Sequence, residues 1–242
     1  MNISLIYHMS FVSNLLCCVE RGENIDKSAS PVKMNGKLKP SCDSTVDVAS
    51  TKWLALKTIN WTDDQGRSRK WDIASRTTKQ SSGPDAVVII PVLKSKKNDS
   101  IDTLLVEQFR PPIGEYTLEF PAGLVDPNEK PEATALRELR EETGYIGTVD
   151  TSFKSSELSM SPGLSDETIQ LIVVNVDLDD PKNQNPDQDL DDGESIVLKR
   201  VPLTVGLKEA LGTSTCMPIS LLYSFAVGME MGLKYGKEGK GK

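Results

Sequence analysis

Histidine and cysteine are scarce in this chain, and their scarcity limits the chemistry that it can perform. Among 242 residues the single histidine is His8, and the four cysteines include no C-x-x-C pair. Ser-His-Asp triads, Cys-His pairs and most catalytic zinc sites each need a well-placed imidazole. The cysteine spacing also argues against a zinc knuckle and a disulfide framework. Catalysis by histidine or zinc is therefore disfavoured, and the sequence predicts a reducing location, the cytoplasm or alternatively the nucleus.

Basic charge and long apolar runs are also in short supply. The chain holds 28 Lys and Arg against 35 Asp and Glu, a net charge of −7, so it lacks the basic field that phosphate-backbone binding requires. Residues 1–22 carry no Lys or Arg ahead of their apolar residues, and Asn, His and Ser interrupt them. That leader is not a convincing signal peptide and is too short to span a bilayer. We expect neither nucleic-acid nor membrane binding, and the start site, Met1 or Met34, stays open.

Composition divides the chain into four segments. Residues 1–50 end in a stretch rich in Ser, Lys, Asp, Asn and Pro with few large apolar side chains, so we expect a disordered arm there. Two strand-like runs then flank the turn sequence DDQG at residues 63–66, which predicts a hairpin within residues 51–80. The main domain is predicted at residues 81–236, followed by a disordered tail at 237–242.

Apolar patterning in the main domain predicts both strands and helices. Residues 86–93, AVVIIPVL, form a continuous apolar run typical of a central strand. Residues 132–143 are strong helix formers behind Pro131, a favoured first-turn residue. Further strands are predicted at residues 103–109, 116–120, 168–176 and 195–201, and a final helix at residues 218–235. The pattern predicts an α/β or α+β fold, a mixed sheet with helices.

Three carboxylates share one face of the predicted helix at residues 132–143. Glu138, Glu141 and Glu142 stand at i, i+3 and i+4, where like charges repel by about 0.2–0.5 kcal/mol per pair. Such a cluster calls for cations, and carboxylate oxygens suit Mg²⁺, with Mn²⁺ as an alternative. Arg137 can pair with Glu141 one turn along. A metal site and an exposed helix laced with salt bridges both remain open from the helix alone.

Residues 123–145, GLVDPNEKPEATALRELREETGY, resemble the Nudix box in loop and helix together. Tyr145 departs from the pattern, where a small aliphatic residue is usual. The resemblance implies a Nudix fold, with a mixed sheet sandwiched between helices, and metal-dependent hydrolysis of a nucleoside diphosphate linked to another group. It also implies that Glu138 and Glu142 are the principal metal ligands and catalytic residues, assisted by Glu141 and by the carbonyl of Ala122.

The flanking segments QFRPPIGEYTLEFPAGL, residues 108–124, and SPGLSDE, residues 161–167, resemble the eukaryotic ADP-ribose (ADP-sugar) pyrophosphatase branch of that family. Members of this branch are dimers that exchange N-terminal strands. The resemblance implies that two tryptophans sandwich the adenine and that arginines hold phosphates or ribose. The substrate-binding residues carried over in this way are Trp53, Trp71, Arg76, Arg110 and Leu124. Glu119 is implied to assist the metal cluster through water.

A general base must also deprotonate or orient the attacking water. Residues 177–194, DLDDPKNQNPDQDLDDGE, form an acidic loop before the strand predicted at residues 195–201. The resemblance points to Glu194, at the end of this loop. Asp191 and Asp192 remain alternatives, because alignment through acidic sequence is uncertain by a few residues. Ser161 stands where relatives often carry an acid, which weakens any inference about contact with the terminal ribose.

Together these patterns predict a Mg²⁺-dependent enzyme that cleaves ADP-ribose to AMP and ribose 5-phosphate, and that works as a homodimer on a nucleotide-sugar substrate. One alternative is hydrolysis of another nucleoside diphosphate sugar or of an oxidised nucleoside diphosphate. A second is a non-catalytic Nudix module that senses ADP-ribose. The intact set of Glu138, Glu141 and Glu142 argues against a pure sensor, which has no need of a metal-binding trio.

Overall fold

The computed structural model describes residues 33–34, 37–79, 82–204 and 206–236. Its backbone contacts divide the chain into two compact units. Unit 1 comprises the chain up to Thr77 together with Gly163–Ser165, and unit 2 comprises Thr78–Pro162 and Asp166 onwards. The tail expected at 237–242 and most of the expected arm lie outside the described residues.

The described part of unit 1 contains five strands. They are β1 (Lys33–Met34), β2 (Lys37–Leu38), β3 (Ser41–Ser50), β4 (Leu54–Thr62) and β5 (Ser68–Arg76). The last three form an antiparallel sheet in the order β3-β4-β5. In the β4–β5 turn, Asp63 Oδ1 accepts hydrogen bonds from the amides of Gln65 and Arg67, both at 2.9 Å, and Gly66 takes a φ of 78°. The predicted hairpin is therefore confirmed.

Strand β3 corrects the expectation of a disordered arm up to residue 50. Its sequence, SCDSTVDVAS, is too polar to predict burial, and its side chains are indeed exposed. The strand forms because its backbone pairs with β4 along its length, and side-chain hydrogen bonds reinforce the pairing. Thr62 Oγ1 donates to Asp43 at 2.8 Å, and Asn60 donates to Ser44 at 3.0 Å. Composition does not predict the order of this segment, because the hydrogen bonds that stabilise it come mainly from backbone amides.

Unit 2 contains a mixed sheet. Its strands are β6 (Ala86–Ser95), β7 (Asn98–Arg110), β8 (Glu115–Glu119), β9 (Ala122–Leu124), β10 (Thr148–Val149), β11 (Leu158–Ser159), β12 (Thr168–Asp177), β13 (Ile196–Pro202) and β14 (Met217–Pro218). The order is β10-β12-β6-β7-β8-β14, with β9 on β6, β11 on β12 and β13 on β7. The β12–β6 and β14–β8 pairs are parallel and the others antiparallel.

The helices of unit 2 cover both faces of this sheet. They are α1 (Pro131–Thr143), α2 (Leu207–Thr213) and α3 (Ser220–Tyr235). Alternate residues of β6 enter different core clusters: Val87 packs in one with Leu139 of α1, and Val88 in the other with Leu222 of α3. The continuous apolar run is thus explained by burial on both faces. The predicted fold, a mixed sheet between helices, is confirmed.

Within the described ranges, the helices are all too short or too polar to cross a membrane.

Candidate active site

Helix α1 is shaped by local sequence at both of its ends. Pro131 occupies the first turn, where a missing N–H costs nothing. At the other end Gly144 adopts φ 73°, the left-handed conformation that ends helices, and its amide donates to the carbonyl of Arg140 at 2.7 Å. Ala135 and Leu139 face the sheet and are fully buried. The helix is therefore fixed against the sheet, and its acidic side chains keep a defined position.

Two of the three acids predicted to bind metal are withdrawn from solvent. Glu142 is only 4% exposed and the Glu138 side chain 15% exposed, whereas Glu141 is more open. Burial raises the pKa of Glu138 to about 7, with the nearby charges of Glu141 and Glu194 acting in the same direction. Burial also raises the pKa of Glu142 to about 8, and Glu138 and Glu194 add to the shift. The charged form of this pair therefore needs additional positive charge nearby.

Arg137 supplies part of that charge. Its guanidinium donates from Nη1 to Glu138 at 2.7 Å and to Glu141 at 3.0 Å, which confirms the pair predicted one turn apart. The other side of the group donates to Glu129 at 3.1 and 2.9 Å, and Nη2 reaches the carbonyl of Leu124 at 3.2 Å. One arginine thus joins the loop before α1 to the acidic face of the helix.

The loop strand β9 approaches the helix closely. A Cβ on Gly123 would lie 1.9 Å from Cδ of Glu138, so any larger residue here would displace the Glu138 carboxylate. Beside it, the amide of Ala122 donates to Glu142 Oε2 at 3.1 Å. The backbone of β9 thus meets both buried carboxylates, Glu142 through the Ala122 amide and Glu138 at Gly123, and the role of the Ala122 carbonyl as a metal ligand stays a prediction.

The donor set fits a divalent cation. Among the described residues no three His, Cys, Asp or Glu side chains are already arranged to hold a metal, because Glu138 accepts from Arg137 and Glu142 from the amide of Ala122. The predicted metal ligands are carboxylate oxygens of α1 and the carbonyl oxygen of Ala122. All of them are hard oxygens, which Mg²⁺ and Mn²⁺ prefer. Two desolvated carboxylates on adjacent turns also repel each other unless a cation lies between them. The chemistry of the site thus suits the predicted metal.

Arg110 ends β7 and forms a bidentate pair with Glu119. The two bonds measure 2.7 and 2.8 Å, and Thr117 Oγ1 also donates to Glu119 at 2.5 Å. The hydrogen bond to Glu119 raises the pKa of Arg110, and the charges of Glu142 and Glu194 contribute further. Arg110 is therefore a permanent cation beside the acidic cluster, within electrostatic reach of Glu142 and Glu194.

Glu194 lies on the exposed loop that precedes β13. Its amide donates to the carbonyl of Asp191 at 3.0 Å, and the amide of Asp191 donates back to Glu194 Oε2 at 3.2 Å. After the larger effect of burial, the Glu194 charge also raises the pKa values of Glu138 and Glu142, so its carboxylate lies within electrostatic reach of the pair. Asp191 supports the turn that presents Glu194, and the choice of general base among Glu194, Asp191 and Asp192 stays a prediction.

Comparison with known sequences identifies the family. Residues 83–211 match the NUDIX domain. The chain belongs to the Nudix hydrolase family.

Three relatives extend the match beyond the Nudix domain. An uncharacterised Nudix hydrolase of Schizosaccharomyces pombe is 41% identical over 195 residues, which cover 79% of this chain and 93% of that protein. The ADP-ribose pyrophosphatase of Saccharomyces cerevisiae is 41% identical over 62% of this chain and 64% of its own length. The ADP-sugar pyrophosphatase of Mus musculus is 40% identical over 64% of this chain and 70% of its own length.

A solved structure shares the fold. The crystal structure of an ADP compounds hydrolase aligns with a TM-score of 0.56 at 19% identity, covering 84% of this chain and 96% of that one. This likeness supports the overall fold.

Of the other predicted substrate-binding residues, Leu124 ends β9 in unit 2, and the remaining three belong to unit 1. Trp53 precedes β4 and is 58% exposed, with the Lys52 ammonium 4.3 Å from its ring centroid. Trp71 lies on β5, is 48% exposed, and donates from Nε1 to the carbonyl of Gly163 at 3.3 Å. Arg76 ends the same strand. Both indoles therefore present open ring surface, which base stacking requires.

Sequence analysis missed the residues that attach the acidic loop to α1. Gln188 Nε2 donates to the carbonyl of Glu142 at 2.6 Å, and the amide of Asp189 donates to the carbonyl of Glu141 at 2.8 Å. The Gln188 contact spans 46 residues. No sequence pattern predicts such a bond, because the loop is polar and its sequence has no period.

Proposed function

We propose that this Nudix protein hydrolyses ADP-ribose to AMP and ribose 5-phosphate and requires a divalent cation, Mg²⁺ first and Mn²⁺ as the alternative. The observation that carries the proposal is the pair of desolvated carboxylates, Glu138 and Glu142, packed against Gly123 within the Nudix segment. The substrate follows from the relatives named ADP-ribose and ADP-sugar pyrophosphatase.

Each residue around the carboxylates has a part in this reaction. Glu138, Glu142, Glu141 and the carbonyl of Ala122 would hold the cation, which when bound polarises the pyrophosphate and activates water. Arg137 fixes Glu138 and Glu141 through bonds of 2.7 and 3.0 Å, so these side chains are pre-arranged for binding. The bidentate pair with Glu119 holds the Arg110 guanidinium beside the cluster, where its remaining N–H groups can bind phosphate oxygens.

Glu194 is the proposed general base. It stands on an exposed loop, open to water, and its charge acts on the pKa values of the buried pair. A carboxylate so placed removes or orients the proton of the attacking water, a contribution of typically ~10²–10⁴-fold in rate. Asp191 and Asp192 remain the alternative bases.

Adenine recognition and assembly are assigned to unit 1. The exposed rings of Trp53 and Trp71 would stack on the base, with Arg76 on ribose or phosphate. Exposed apolar side chains also cluster in sequence on β3 and β4, and a small sheet with such a surface gains stability by packing on another surface. A homodimer formed through this sheet accounts for the exposure of Val46, Val48, Leu54 and Leu56.

A product analysis tests the proposal. The full chain is incubated with ADP-ribose, ADP-glucose, GDP-mannose and NADH under a Mg²⁺ titration, with products separated by chromatography. We expect AMP and ribose 5-phosphate from ADP-ribose at the highest kcat/KM, and no turnover after chelation. Faster cleavage of another compound would replace the substrate. Tight binding of ADP-ribose without cleavage at any metal concentration would establish the sensing alternative instead.

A further inference from the structure

The carbonyl groups at the end of α1 are bonded by the loop that carries Glu194. The last carbonyls of a helix have no partner inside it and must be satisfied elsewhere. Here the carbonyl of Arg140 accepts from the amide of Gly144, the carbonyl of Glu141 accepts from the amide of Asp189, and the carbonyl of Glu142 accepts from Gln188. The acidic loop therefore serves as the cap of the helix.

Gln188 differs from the other partners because its side chain makes a second contact. Its Nε2 lies 2.6 Å from the carbonyl oxygen of Glu142 and 3.4 Å from that of Ile196. Ile196 is buried and is the first residue of β13, two positions after Glu194. One amide group thus connects the residue that carries a buried carboxylate to the strand that directly follows the proposed base.

The attachment has a separate backbone component. The Asp189 amide bond at 2.8 Å needs no side chain, and Gly144 fits against the loop so closely that a Cβ there would lie 2.3 Å from the amide nitrogen of Asp187. Removing the Gln188 amide should therefore leave the loop docked at residues 187–189. What it would release is the segment between Asp189 and Ile196.

We propose that Gln188 is a positioning residue that holds Glu194 at its working distance from the Glu138–Glu142 pair by bridging the end of α1 and the start of β13. This inference rests on the proposed function for its kinetic consequence. Its structural part, the anchoring of residues 189–196 by one side-chain amide, is independent of any substrate.

The test compares two glutamines of the same loop. Gln188→Met keeps the length of the side chain and removes the donor. Gln184→Met is the matched control, because Gln184 Nε2 bonds the carbonyl of Leu178 and not α1. For Gln188→Met we expect kcat for ADP-ribose to fall about 10-fold with KM little changed, since misplacement by about 1 Å can cost ~100-fold. Gln184→Met should keep the native kcat, and both should keep the native Tm.

A double-mutant cycle shows whether Gln188 acts through Glu194. In a Glu194→Gln background, adding Gln188→Met should cost nothing further, because the group being positioned is already gone. If the double variant instead loses kcat by the product of the two single losses, the proposal is overturned. A native kcat in Gln188→Met or in Glu194→Gln would overturn it as well. If Gln188→Met does not fold, Gln188→Glu, which also lacks the donor, takes its place in the cycle.

Hydrogen exchange supplies a readout that needs no turnover. Amides in the peptide covering residues 189–196 should exchange faster in Gln188→Met than in the native chain or in Gln184→Met. Unchanged exchange would overturn the anchoring role even if kcat falls. Should the native chain fail to cleave ADP-ribose, the proposed function falls, while this measurement still decides whether Gln188 holds the loop.

Discussion

The two units of the molecule differ in the side chains that they bury and expose. Unit 2 buries acidic side chains, whereas unit 1 leaves aromatic and aliphatic side chains exposed. In unit 2 two acids of α1 are withdrawn from solvent, and Arg137 and the amide of Ala122 donate to them. In unit 1 the sheet leaves Trp53, Trp71 and several aliphatic side chains open. Buried, oriented charge suits a step in which charge develops, and open aromatic surface suits binding of a flat base. Changes in unit 2 should therefore act on kcat, and changes in unit 1 on KM and assembly.

Glu142→Gln should have the largest effect. We expect kcat to fall more than about 100-fold, because even residues that only orient metal ligands typically cost 10–100-fold. Since burial raises the pKa of Glu142 to about 8, a neutral amide of the same shape should leave the Tm of the metal-free protein intact. Glu132→Gln, in the first turn of the same helix, is the control and should keep native turnover. A Glu142→Gln variant with near-native kcat across Mg²⁺ concentrations would remove α1 as the metal site.

Trp53→Ala and Trp71→Ala test the other side of the comparison. Stacking is present in both the ground state and the transition state, so its loss should raise KM for ADP-ribose about 10-fold and leave kcat nearly unchanged, within the ~1–3 kcal/mol that stacking on a base contributes. Trp71→Phe keeps a ring and should recover most of the affinity. Native KM values in both alanine variants would show that these indoles do not bind the base.

Assembly through unit 1 should respond to charge on β3. Val46→Lys places a charge on the exposed edge strand without touching the buried core, so we expect a monomer by light scattering coupled to size exclusion, with a raised KM and a native Tm. Thr45→Lys, at the neighbouring exposed position, is the control for the added charge. A native chain that is monomeric and fully active would contradict the shared-sheet proposal and leave the Nudix chemistry unaffected.

The two ends of α1 show what could be predicted from sequence. At the N-terminal end the partners are near in sequence: Glu129 accepts from Thr134 and from Arg137, five and eight residues on. The Arg137–Glu141 pair is four residues apart on the helix, a spacing that follows from helix geometry, so the helix and this pair were predictable. At the C-terminal end the partner is Gln188, 46 residues away. Nothing local marks it, because the contact exists only once the loop has folded back.

Strand β3 and the Arg110–Glu119 pair escaped prediction for the same physical reason. The β3 sequence buries no side chain, and the strand is ordered by backbone bonds to β4 that do not depend on an apolar pattern. Arg110 and Glu119 meet because β7 and β8 pair antiparallel across a turn, so their contact depends on register. Single-strand patterns report which face is buried, but they do not report which residues lie opposite each other.

Glu129→Gln should give the smallest effect and the clearest pH signature. Hydrogen bonds from Arg137, supported by Thr134, hold the pKa of Glu129 at about 2, below its ordinary value of 4.5. Because the folded-state pKa is depressed, the ionised carboxylate stabilises the fold above pH 4.5, and this contribution is lost as the pH falls toward 2. Native and variant chains should therefore differ by about 1 kcal/mol or less in free energy of unfolding at neutral pH, since the site is partly open to solvent. The difference should shrink between pH 4.5 and 2 in urea titrations. A difference that stays constant over this range would mean that Glu129 stabilises the loop by shape rather than by charge.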